Sequence, residues 1–528
     1  MLKYGIVMKK TTIGKIVEKI EKAINTLNWP EDVNWQVYAS EKQEYGHYAT
    51  NVAMVLAKKI GKDPMETAQG LCKILSNDFE VKAVAPGFVN FYLDPELLCR
   101  EWQNMVRELN KQIESPNPQK IQIEFVSANP TGPLTLGNGR GGFLGDVLGN
   151  IMKRVGHTIV KEYYINDAGY QVQRLGESVL NYPEASYQGD YIEELRQLIK
   201  ADNPIEAGQK AADHILETMI RPDVEKIGLK FDVWFSERTL YRDKLVEKVL
   251  VELKNKKLTE EKEGALWLKT TEFGDDKNRV LVKATGEMTY LMTDLAYHRN
   301  KFERGFDLMI DIWGADHQGH IQPLIQGLNA LGHESKKLKI LIAQWVKVIR
   351  DGQEVTISKR RGEYITIAEL VDEVGLDAVR YFFLERSLNS HLNFDFDLAV
   401  KKSADNPVYY IQYAHARIQS ILTKLNINED KIDQQTDFIF NHPSELNLIA
   451  SMLNYPEVIS IIAENYEVHQ LPQYIYRLAS ALHQFYRDCP VIGSKGEEQR
   501  ARLVLLKTVK KILKEALSLM GISAPDKM

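Results

Sequence analysis

A glycine-rich run at residues 137–142 is the part of this sequence best suited to bind a phosphate. Gly137, Gly139, Gly141 and Gly142 follow a turn-rich approach, and the apolar residues after them recur at helical spacing. Backbone N–H groups and the positive dipole end at the N-terminus of such a helix attract anions, most often phosphate. A tight packing turn is the alternative, but several glycines disfavour it because each one costs conformational entropy on folding.

Two kinds of nucleotide site fit the run. Gly137-x-Gly139-x-x-Gly142, with Glu162 about 20 residues further along, matches the dinucleotide-binding fingerprint. In that fingerprint the strand leads directly into the first glycine, whereas here residues 127–136, with two prolines, intervene. A site whose loop holds ATP together with a carboxylate substrate accommodates this long approach better.

A second group of polar side chains could hold a cationic substrate. Tyr290, Thr293, Asp294, Tyr297 and His298 lie within nine residues of each other. At the start of a helix, Tyr290 and Asp294 would lie one turn apart on one face. The two oxygens of an aspartate suit the bidentate fork of a guanidinium. Helix capping and surface charge are the alternative explanation for such a segment.

A third group follows a predicted buried strand at residues 308–313. Polar groups just past the carboxyl end of a parallel strand lie in the crevice where such sheets bind ligands. Asp316 and His317 could therefore contact a ribose and a base. Metal binding by Asp316, His317 and His320 is the rival interpretation, although no further cluster of ligands is evident.

A basic loop at residues 353–362 offers positive charge. Lys359 lies in this loop, after a predicted short strand at 345–349. A lysine on such a loop can neutralise a triphosphate as charge builds during displacement. A solvated basic loop is the usual alternative.

The elements that must position the glycine-rich run form one β-loop-α-β unit. Ile121, Ile123 and Phe125 alternate with polar residues as in a strand, and a helix is predicted from Phe143 to near Gly156. A second apolar strand runs over 159–165. The charged region at about 170–260 is predicted to be mostly helical, and residues 264–283 to form strands joined by a turn.

Composition and charge describe an ordinary soluble globular protein. The chain has 528 residues, 44% hydrophobic and 26% charged, with a net charge of −5. This length predicts about two to four domains, and the charge neither requires nor excludes nucleic acid. Cys72, Cys99 and Cys489 lie far apart, which argues against disulfides and a zinc site and for a reducing cytoplasm. No apolar run predicts a membrane span or a signal peptide.

The flanks of the chain predict two further units. Helical patterns at 11–27 and 49–75, followed by a strand pair around Pro86-Gly87, indicate a small α+β domain. From Asn406 onward the chain is predicted to be all-helical. There Tyr410, Tyr413 and Arg417 share one helix face; core packing is the default for such residues, but with His415 they also form a set that can stack on bases.

Several of these segments resemble the arginyl-tRNA synthetases of class I. In that family a strand is followed by Ser-x-Asn-Pro-Thr-Gly-Pro-Leu and then His-x-Gly-His-Gly-Arg. This chain keeps Ser127, residues 129–134, Gly137 and Gly139-Arg140, but has Thr135 and Asn138 in place of the two histidines. Its sequence from Thr356 to Lys359 stands where the family has Lys-Met-Ser-Lys, without the first lysine. The resemblance extends from about residue 45 to Met528.

The resemblance implies a multidomain α/β fold. An N-terminal α+β domain that contacts tRNA would span 1–114. A Rossmann-type catalytic core with a parallel sheet and a helical insertion near 170–260 would span 115–395, and an α-helical anticodon-binding bundle 396–528. The implied reaction activates arginine with ATP and Mg²⁺ and esterifies it to tRNA(Arg), in a monomeric cytoplasmic protein that neither holds a metal of its own nor binds a membrane.

The resemblance also implies functional residues, position by position. The catalytic residues would be Thr135, Asn138, Ser358 and Lys359. ATP would contact Pro130, Gly137, Gly139, Asp316, His317 and Lys359. Arginine would contact Glu124, Ser127, Asn129, Tyr290, Asp294 and His320. The tRNA would contact Asn90, Phe91, Tyr92, Tyr410, Tyr413, His415, Arg417 and Met528.

The two replaced histidines leave other function classes open. A neutral histidine donates one hydrogen bond, and threonine and asparagine can each donate one as well, so we expect catalysis to survive. A catalytically inactive paralogue would bind tRNA without turnover. An NAD-dependent enzyme would bind a nicotinamide cofactor and no tRNA, and thermal shifts induced by nucleotides would distinguish it.

Overall fold

The computed structural model describes residues 11–40, 43–109, 111, 115, 117–183, 185–355, 365–432 and 437–528. These residues form an N-terminal α+β region, a central parallel sheet covered by helices, and a C-terminal helical region. The predicted multidomain α/β fold, with a Rossmann-type core between an α+β region and a helical bundle, is therefore confirmed.

The N-terminal region packs four helices on one antiparallel sheet, whose strand order is β1-β2-β4-β3. Asp63 caps the third helix at Pro64, as a residue before a helix-starting proline does. In chain order the elements are α1 (Thr12–Thr26), β1 (Val37–Ala39), β2 (Tyr48–Thr50), α2 (Val52–Ile60), α3 (Pro64–Leu75), β3 (Glu80–Val84), β4 (Phe88–Tyr92) and α4 (Pro95–Leu109).

The central region is built on a five-stranded parallel sheet with the order β12-β11-β5-β6-β7. Its first elements are β5 (Lys120–Glu124), α5 (Leu136–Arg154), β6 (Thr158–Ile165), α6 (Gly169–Val179), α7 (Asp190–Leu198), α8 (Pro204–Ile215), α9 (Arg221–Lys226), β7 (Val233–Ser236), α10 (Arg238–Arg242) and α11 (Leu245–Asn255). A small antiparallel sheet follows with β8 (Thr259–Lys262), β9 (Ala265–Leu268) and β10 (Arg279–Val282). The chain then returns to the main sheet with α12 (Tyr290–Glu303), β11 (Leu308–Gly314), α13 (Ile321–Leu331) and β12 (Leu338–Ala343).

The strand order places a ligand crevice at the carboxyl ends of β5 and β11. From β5 the chain first continues to β6 and β7 on one side and later returns to β11 and β12 on the other. Ligands bind to open α/β sheets at such a point of reversal. The region at 170–260 is mostly helical, as predicted, but it also contains β7, which pairs with β6 as the edge strand of the main sheet.

The C-terminal part begins with a small sheet and continues as helices. Its elements are β13 (Val346–Arg350), β14 (Gln353–Glu354), α14 (Ile367–Val374), α15 (Leu376–Leu384), β15 (Leu392–Asp395), α16 (Phe396–Ala399), α17 (Pro407–Lys424), α18 (Pro443–Asn465), α19 (Gln470–Asp488) and α20 (Gly496–Leu519). By length and composition alone, α18 is apolar enough to cross a membrane, but half of it is buried inside this protein, as in the core helix of a soluble protein.

Helix α5 begins earlier than its apolar spacing predicts. The glycine run forms its first turns instead of a loop, because a capping box at Thr135 and Asn138 starts the helix at Leu136. Three of its glycines allow side chains from neighbouring segments of the protein to pack closely against the helix backbone. A Cβ at Gly139 would lie 2.7 Å from Ile367, one at Gly142 2.8 Å from Leu229, and one at Gly145 2.4 Å from Phe125.

The other end of α5 is fixed to the C-terminal helices. Asn150 donates a hydrogen bond to the Leu519 carbonyl oxygen (2.9 Å), and Arg154 pairs with Glu515 of α20. Arg380 of α15 pairs with Asp146 and also donates to the Met520 carbonyl oxygen (2.7 Å). The helix that starts at the crevice is therefore held rigidly along its length.

Candidate active site

The first turn of α5 carries the half-buried side chain of Asn138. The Asn138 Oδ1 accepts hydrogen bonds from the Thr135 backbone N–H (2.9 Å) and from the Thr135 hydroxyl (2.7 Å). These two bonds fix the orientation of the Asn138 amide. Within the part of the chain that the structure describes, its Nδ2 makes no hydrogen bond. The hydroxyl of Thr135, a residue predicted to be catalytic, therefore donates to Asn138. The Asn138 Nδ2 remains as the donor available to a phosphate.

The two glycines predicted to contact ATP differ in their surroundings. Gly137 is exposed, and a Cβ there would meet nothing closer than the Thr135 hydroxyl at 3.7 Å. Gly139 is buried against Ile367, so its missing side chain serves helix packing. Pro130 is also buried. Of these three residues, the structure leaves only Gly137 open to a ligand.

The arginine of the signature, Arg140, does not face the crevice. It is buried and donates to the carbonyl oxygens of Gln344 and Ser387, both at 2.9 Å. Burial lowers the pKa of this guanidinium to about 10. These hydrogen bonds join α5 to the two chain segments that lead into β13 and β15.

A strained turn follows β5 and carries two of the predicted arginine contacts, Ser127 and Asn129. Val126 (φ 67°) and Ser127 (φ 38°) adopt left-handed backbone conformations, which are unfavourable for residues other than glycine. Such strain is typical of functional sites. The Ser127 hydroxyl donates to Glu124 Oε1 (2.9 Å) and accepts from the Tyr164 backbone N–H (3.1 Å).

Asn129 and Tyr290 meet through a shared partner. The Asn129 Nδ2 donates to Gln171 Oε1 (2.6 Å), and the Tyr290 hydroxyl lies next to the same Gln171 side chain. Tyr290 is half exposed at the first position of α12. The structure therefore brings Ser127 and Asn129, which follow β5, together with α12, although more than 150 residues separate them in the sequence.

Asp294 lies one turn into α12 with its carboxylate unpaired. None of the described lysines or arginines forms an ion pair with it, and it accepts no side-chain hydrogen bond among the described residues. Burial raises its pKa above the ordinary aspartate value, although His298, His320 and His317 nearby oppose that rise. An unpaired, desolvated carboxylate of this kind favours a cationic ligand.

Glu237 is a second desolvated carboxyl group that forms no ion pair with the described residues. The sequence analysis did not identify it. Glu237 directly follows β7, is buried, and lies beside the Tyr164 hydroxyl. With the Asn166 amide in the orientation that satisfies its hydrogen bonds, the Asn166 nitrogen donates to Glu237 Oε2 (2.8 Å). Burial raises its pKa to about 8, and the neighbouring Asp294 adds to that shift. The signal that could have found it is its position just after a strand of the parallel sheet, but that strand was hidden in a region predicted to be helical.

Glu124 differs from these two because an internal cation already neutralises it. Lys301 Nζ donates to its Oε2 at 2.5 Å, and the Tyr297 hydroxyl donates to the same atom at 2.9 Å. With its other oxygen on Ser127, the carboxylate of Glu124 is fully engaged. The structure thus places Glu124 directly beneath the pocket as a support for Ser127.

The segment after β11 lies on the surface at the carboxyl edge of the sheet. Asp316, His317 and His320 lie on a short 3-10 helix over Ala315–His320 and are exposed. His317 Nε2 is 3.5 Å from Asp316 Oδ2. Across the described ranges, no group of three or more His, Cys, Asp and Glu side chains could hold a metal ion. Ser358 and Lys359 lie outside the described residues.

The predicted tRNA contacts of the N-terminal region are only partly accessible. Phe91 is fully buried against Phe79, so its ring belongs to the core and is not available to stack on a base. Asn90 points from the same strand into a cavity of about 890 Å³ between the N-terminal sheet and helices α18 and α19. Tyr92 is half-buried, with its hydroxyl donating to the Glu44 carbonyl oxygen (3.0 Å).

An aromatic cluster covers one face of the C-terminal helices. Tyr410 and Tyr413 of α17 lie beside His483 of α19, with ring centroids 4.5 and 6.0 Å apart, and Arg417 lies over the Tyr486 ring at 3.9 Å. Tyr413 is 40% exposed, so a base could stack on it.

His415, on the opposite side of α17, does not share this surface. It is buried and donates through Nδ1 to the Pro525 carbonyl oxygen (2.9 Å), so it fixes the C-terminal tail and is not available to a nucleotide. Met528, at the end of that tail, is about half exposed.

Three family profiles match the chain. Residues 14–93 match the family described as arginyl tRNA synthetase N terminal domain, and residues 191–419 match that of tRNA synthetases class I (R), catalytic domain. Residues 411–528 match the DALR anticodon binding domain. The capping box of α5 lies between the first two matched stretches.

Individual proteins match over nearly their whole length. The chain is 39% identical over 548 residues to a Carboxydothermus hydrogenoformans protein named arginine–tRNA ligase, with 98% of both sequences covered. It is 40% identical over 519 residues to a protein of the same name from Oceanobacillus iheyensis, with 92% of both covered. The structure of Thermus thermophilus arginyl-tRNA synthetase has the same fold, with a TM-score of 0.77 at 22% identity, covering 98% of this chain and all of that one.

Proposed function

This chain belongs to the arginyl-tRNA synthetases of class I, and we propose that it activates arginine with ATP and esterifies it to tRNA(Arg) through the residues described above. The observation that carries this proposal is a pair of desolvated carboxylates, Asp294 and Glu237, beside a strained turn at the carboxyl edge of the sheet. No internal cation among the described residues pairs with either. A guanidinium supplies the missing charge and can bond two carboxylates at once.

The arginine subsite has a charged end and a polar end. Asp294 and Glu237 would hold the guanidinium, and Tyr290 at the pocket mouth would cover it. Ser127 and Asn129 would orient the amino and carboxylate groups, while Glu124 supports Ser127 from below. His320 would close the pocket on the side of the 3-10 helix.

The ATP subsite would lie at the N-terminus of α5. The helix dipole and the Asn138 Nδ2 favour the negative charge of the phosphates there, and Gly137 leaves room for them. Asp316 and His317 would contact the adenosine, and Mg²⁺ would arrive with the nucleotide as part of the substrate. Ser358 and Lys359, which lie outside the described residues, would add a hydroxyl donor and positive charge.

The reaction then needs positioning and charge stabilisation but no covalent enzyme intermediate. An oxygen of the arginine carboxylate attacks the α-phosphorus, the bond to the β-phosphate oxygen breaks, and pyrophosphate leaves. A ribose hydroxyl at the 3′ end of the tRNA next attacks the arginyl carbonyl carbon. This second step expels AMP and leaves arginine esterified to the tRNA.

The tRNA would contact both flanking regions. We assign residues 1–114 to tRNA contact, 115–395 to catalysis and 396–528 to anticodon binding. Tyr413, Tyr410 and Arg417 offer stacking surfaces, and Asn90 in the interdomain cavity could read a nucleotide edge. A single chain carries every proposed site, which supports a monomer, and the chemistry is that of cytoplasmic translation.

The decisive experiment is charging of a tRNA(Arg) transcript with labelled arginine, ATP and Mg²⁺, with each component omitted in turn. We expect charging that depends on all of them. Binding of the tRNA in a gel shift without any charging would instead identify an inactive tRNA-binding paralogue. The same preparation, tested for ATP binding alone, would then show which subsite is lost.

Arginine affinity should rise with pH because of Glu237. Its pKa of about 8 means that Glu237 is mostly protonated at neutral pH, and a guanidinium binds the carboxylate better than the neutral acid. Below that pKa, the dissociation constant for arginine should fall by up to about tenfold per pH unit, and it should level off above it. Calorimetric titration at several pH values measures this slope. Glu237→Gln should flatten it, and an unchanged slope in that variant would exclude Glu237 as its source.

Removing the exposed tyrosine of the aromatic cluster should weaken tRNA binding. One base–aromatic stack contributes about 1–3 kcal/mol, so Tyr413→Ala should raise the KM for tRNA by about tenfold. Its KM for arginine should stay unchanged, because α17 lies outside the pocket. Tyr182→Ala, at an exposed tyrosine outside the C-terminal helices, serves as the control. Equal tRNA affinity in both variants would remove Tyr413 from the tRNA-binding surface.

A further inference from the structure

Three buried carboxylates form a row beneath the arginine pocket. Asp311, Glu124 and Glu162 lie on the neighbouring strands β11, β5 and β6, in direct register with one another. All three are buried. A row of like charges in a low-dielectric interior is costly unless cations neutralise it.

The cations all come from the last turn of α12, the helix that carries Tyr290 and Asp294, and from Arg304, the residue that caps its C-terminus. Lys301 bridges Glu124 and Asp311, at 2.5 and 2.7 Å, and Arg304 makes a bidentate pair with Glu162, at 2.6 and 2.9 Å. His298 lies one turn before Lys301, with its Nε2 at 2.8 Å from Asp311 Oδ2. The network therefore fixes how α12 sits on the sheet.

Both ring nitrogens of His298 face groups that can only accept a hydrogen bond. Nδ1 lies 2.8 Å from the backbone carbonyl oxygen of Asp294, and Nε2 lies 2.8 Å from the Asp311 carboxylate. Burial by itself would raise the pKa of Asp311, but Lys301 and His298 outweigh it and hold that pKa below the ordinary value. Asp311 is therefore ionised, and neither contact forms unless the histidine nitrogen carries the proton.

Charge balance is consistent with the same state. With Lys301 and Arg304 alone, three ionised carboxylates leave one negative charge in the interior. A doubly protonated His298 removes that charge, and so would a proton on Glu124, whose pKa is raised by burial. The His298 ring also faces Tyr297 and Trp313, with ring centroids 5.3 and 6.4 Å away, which carry no charge at neutral pH. Among the charged neighbours, the carboxylates of Asp294 and Glu124 favour the imidazolium, whereas Lys301, which shares Asp311, opposes it.

We infer that His298 is held as an imidazolium ion and is a positioning residue of the arginine site. Its Nδ1–H holds the backbone of Asp294, while its Nε2–H anchors the ring to β11. The carboxylate that selects the guanidinium is thereby fixed to the sheet by a charged link. This inference rests on the proposed role of Asp294 in binding arginine.

The charge state can be measured in the unmodified full-length protein. Labelling with ¹⁵N-histidine and recording ¹H–¹⁵N correlations distinguishes imidazolium from either neutral tautomer. The chain has 12 histidines, and His298→Gln or Asp311→Asn would identify the signal of His298. At about pH 7.5, where an ordinary histidine is mostly neutral, we expect two protonated nitrogens. One unprotonated nitrogen at that pH would overturn the inference, whether or not the protein charges tRNA.

Kinetics test the positioning role separately. His298→Gln should raise the KM for arginine by about tenfold, the effect of one lost hydrogen bond to a charged group, while the KM for ATP changes less than about twofold. Asp311→Asn allows a neutral ring that keeps the Asp294 contact, so its KM for arginine should rise less. His333→Gln alters a histidine that packs on the same helix through Phe302 and should change neither constant. An unchanged KM for arginine in folded His298→Gln would overturn the positioning role.

Discussion

Replacing Asp294 by asparagine is expected to raise the KM for arginine by about 10²-fold. The substitution keeps the shape of the side chain but removes the charge and points an N–H₂ group at the guanidinium. Losing one partner of a desolvated, hydrogen-bonded charge pair costs about 2–5 kcal/mol, which corresponds to that factor or more. The carboxylate is available for this role because none of the described side chains neutralises it. Steady-state aminoacylation at varied arginine concentration measures the effect.

The control for Asp294→Asn is Asp243→Asn. Asp243 carries the same carboxylate, but its partner is the exposed Arg242 next to it on the surface. Surface pairs of this type contribute little, so both KM values should match those of the unmodified protein. If Asp294→Asn binds arginine as well as the control does, the guanidinium is held elsewhere, and Glu237 becomes the leading candidate.

Replacing Asn138 by alanine should lower kcat by about 10²-fold, the usual effect of removing one donor that stabilises the transition state. The Asn138 amide is pre-oriented, because Thr135 holds its oxygen with two hydrogen bonds. Its Nδ2 makes no hydrogen bond within the described residues and is therefore available to a phosphate bound at this helix N-terminus. In this chain, the pair of Thr135 and Asn138 would do the work of the two family histidines, with Thr135 as the support and Asn138 as the donor.

Asn138→Ala also removes a helix cap, which costs about 1 kcal/mol of stability by itself. Asn138→Asp separates the two effects, because its oxygens can still accept from Thr135 while the N–H donor is gone. Both variants should lose kcat, but only the alanine variant should lose helix stability in thermal unfolding. A decrease in kcat below about threefold for both would remove Asn138 from the chemistry.

Local patterns in the sequence located most of the elements, and the family resemblance supplied their arrangement into domains. Alternating apolar residues located β5, an apolar run located β6, and the helical spacing after Asn406 located the C-terminal region. Where the local pattern was weak, prediction failed. The strand β7 has only four residues and lies between helices, so it was not predicted, and Glu237 directly after it was not identified either. The start of α5 was placed too late because a capping box, and not apolar spacing, determines it.

Which polar residue faces a ligand is a different kind of question. Phe91 and His415 have types that suit tRNA binding, yet one lies in the core and the other holds the C-terminal tail. Glu124 has a type that suits arginine, yet Lys301, 177 residues away, already pairs with it. Burial and pairing depend on segments that meet only in the folded chain, so a single stretch of sequence does not contain them.

The sequence by itself determined the fold class and the residue types at the crevice, because periodicity, caps and turns act over a few neighbouring residues. The tertiary structure decided which of those residues remain free. Asp294 and Glu237 are available for a substrate because no cation among the described residues pairs with them. Glu124, Glu162 and Asp311 already form ion pairs with cationic side chains at the end of α12. A buried carboxylate requires a neutralising partner, and that partner comes from a distant segment of the chain. Whether the folded chain supplies one is what distinguishes the paired carboxylates from the available ones.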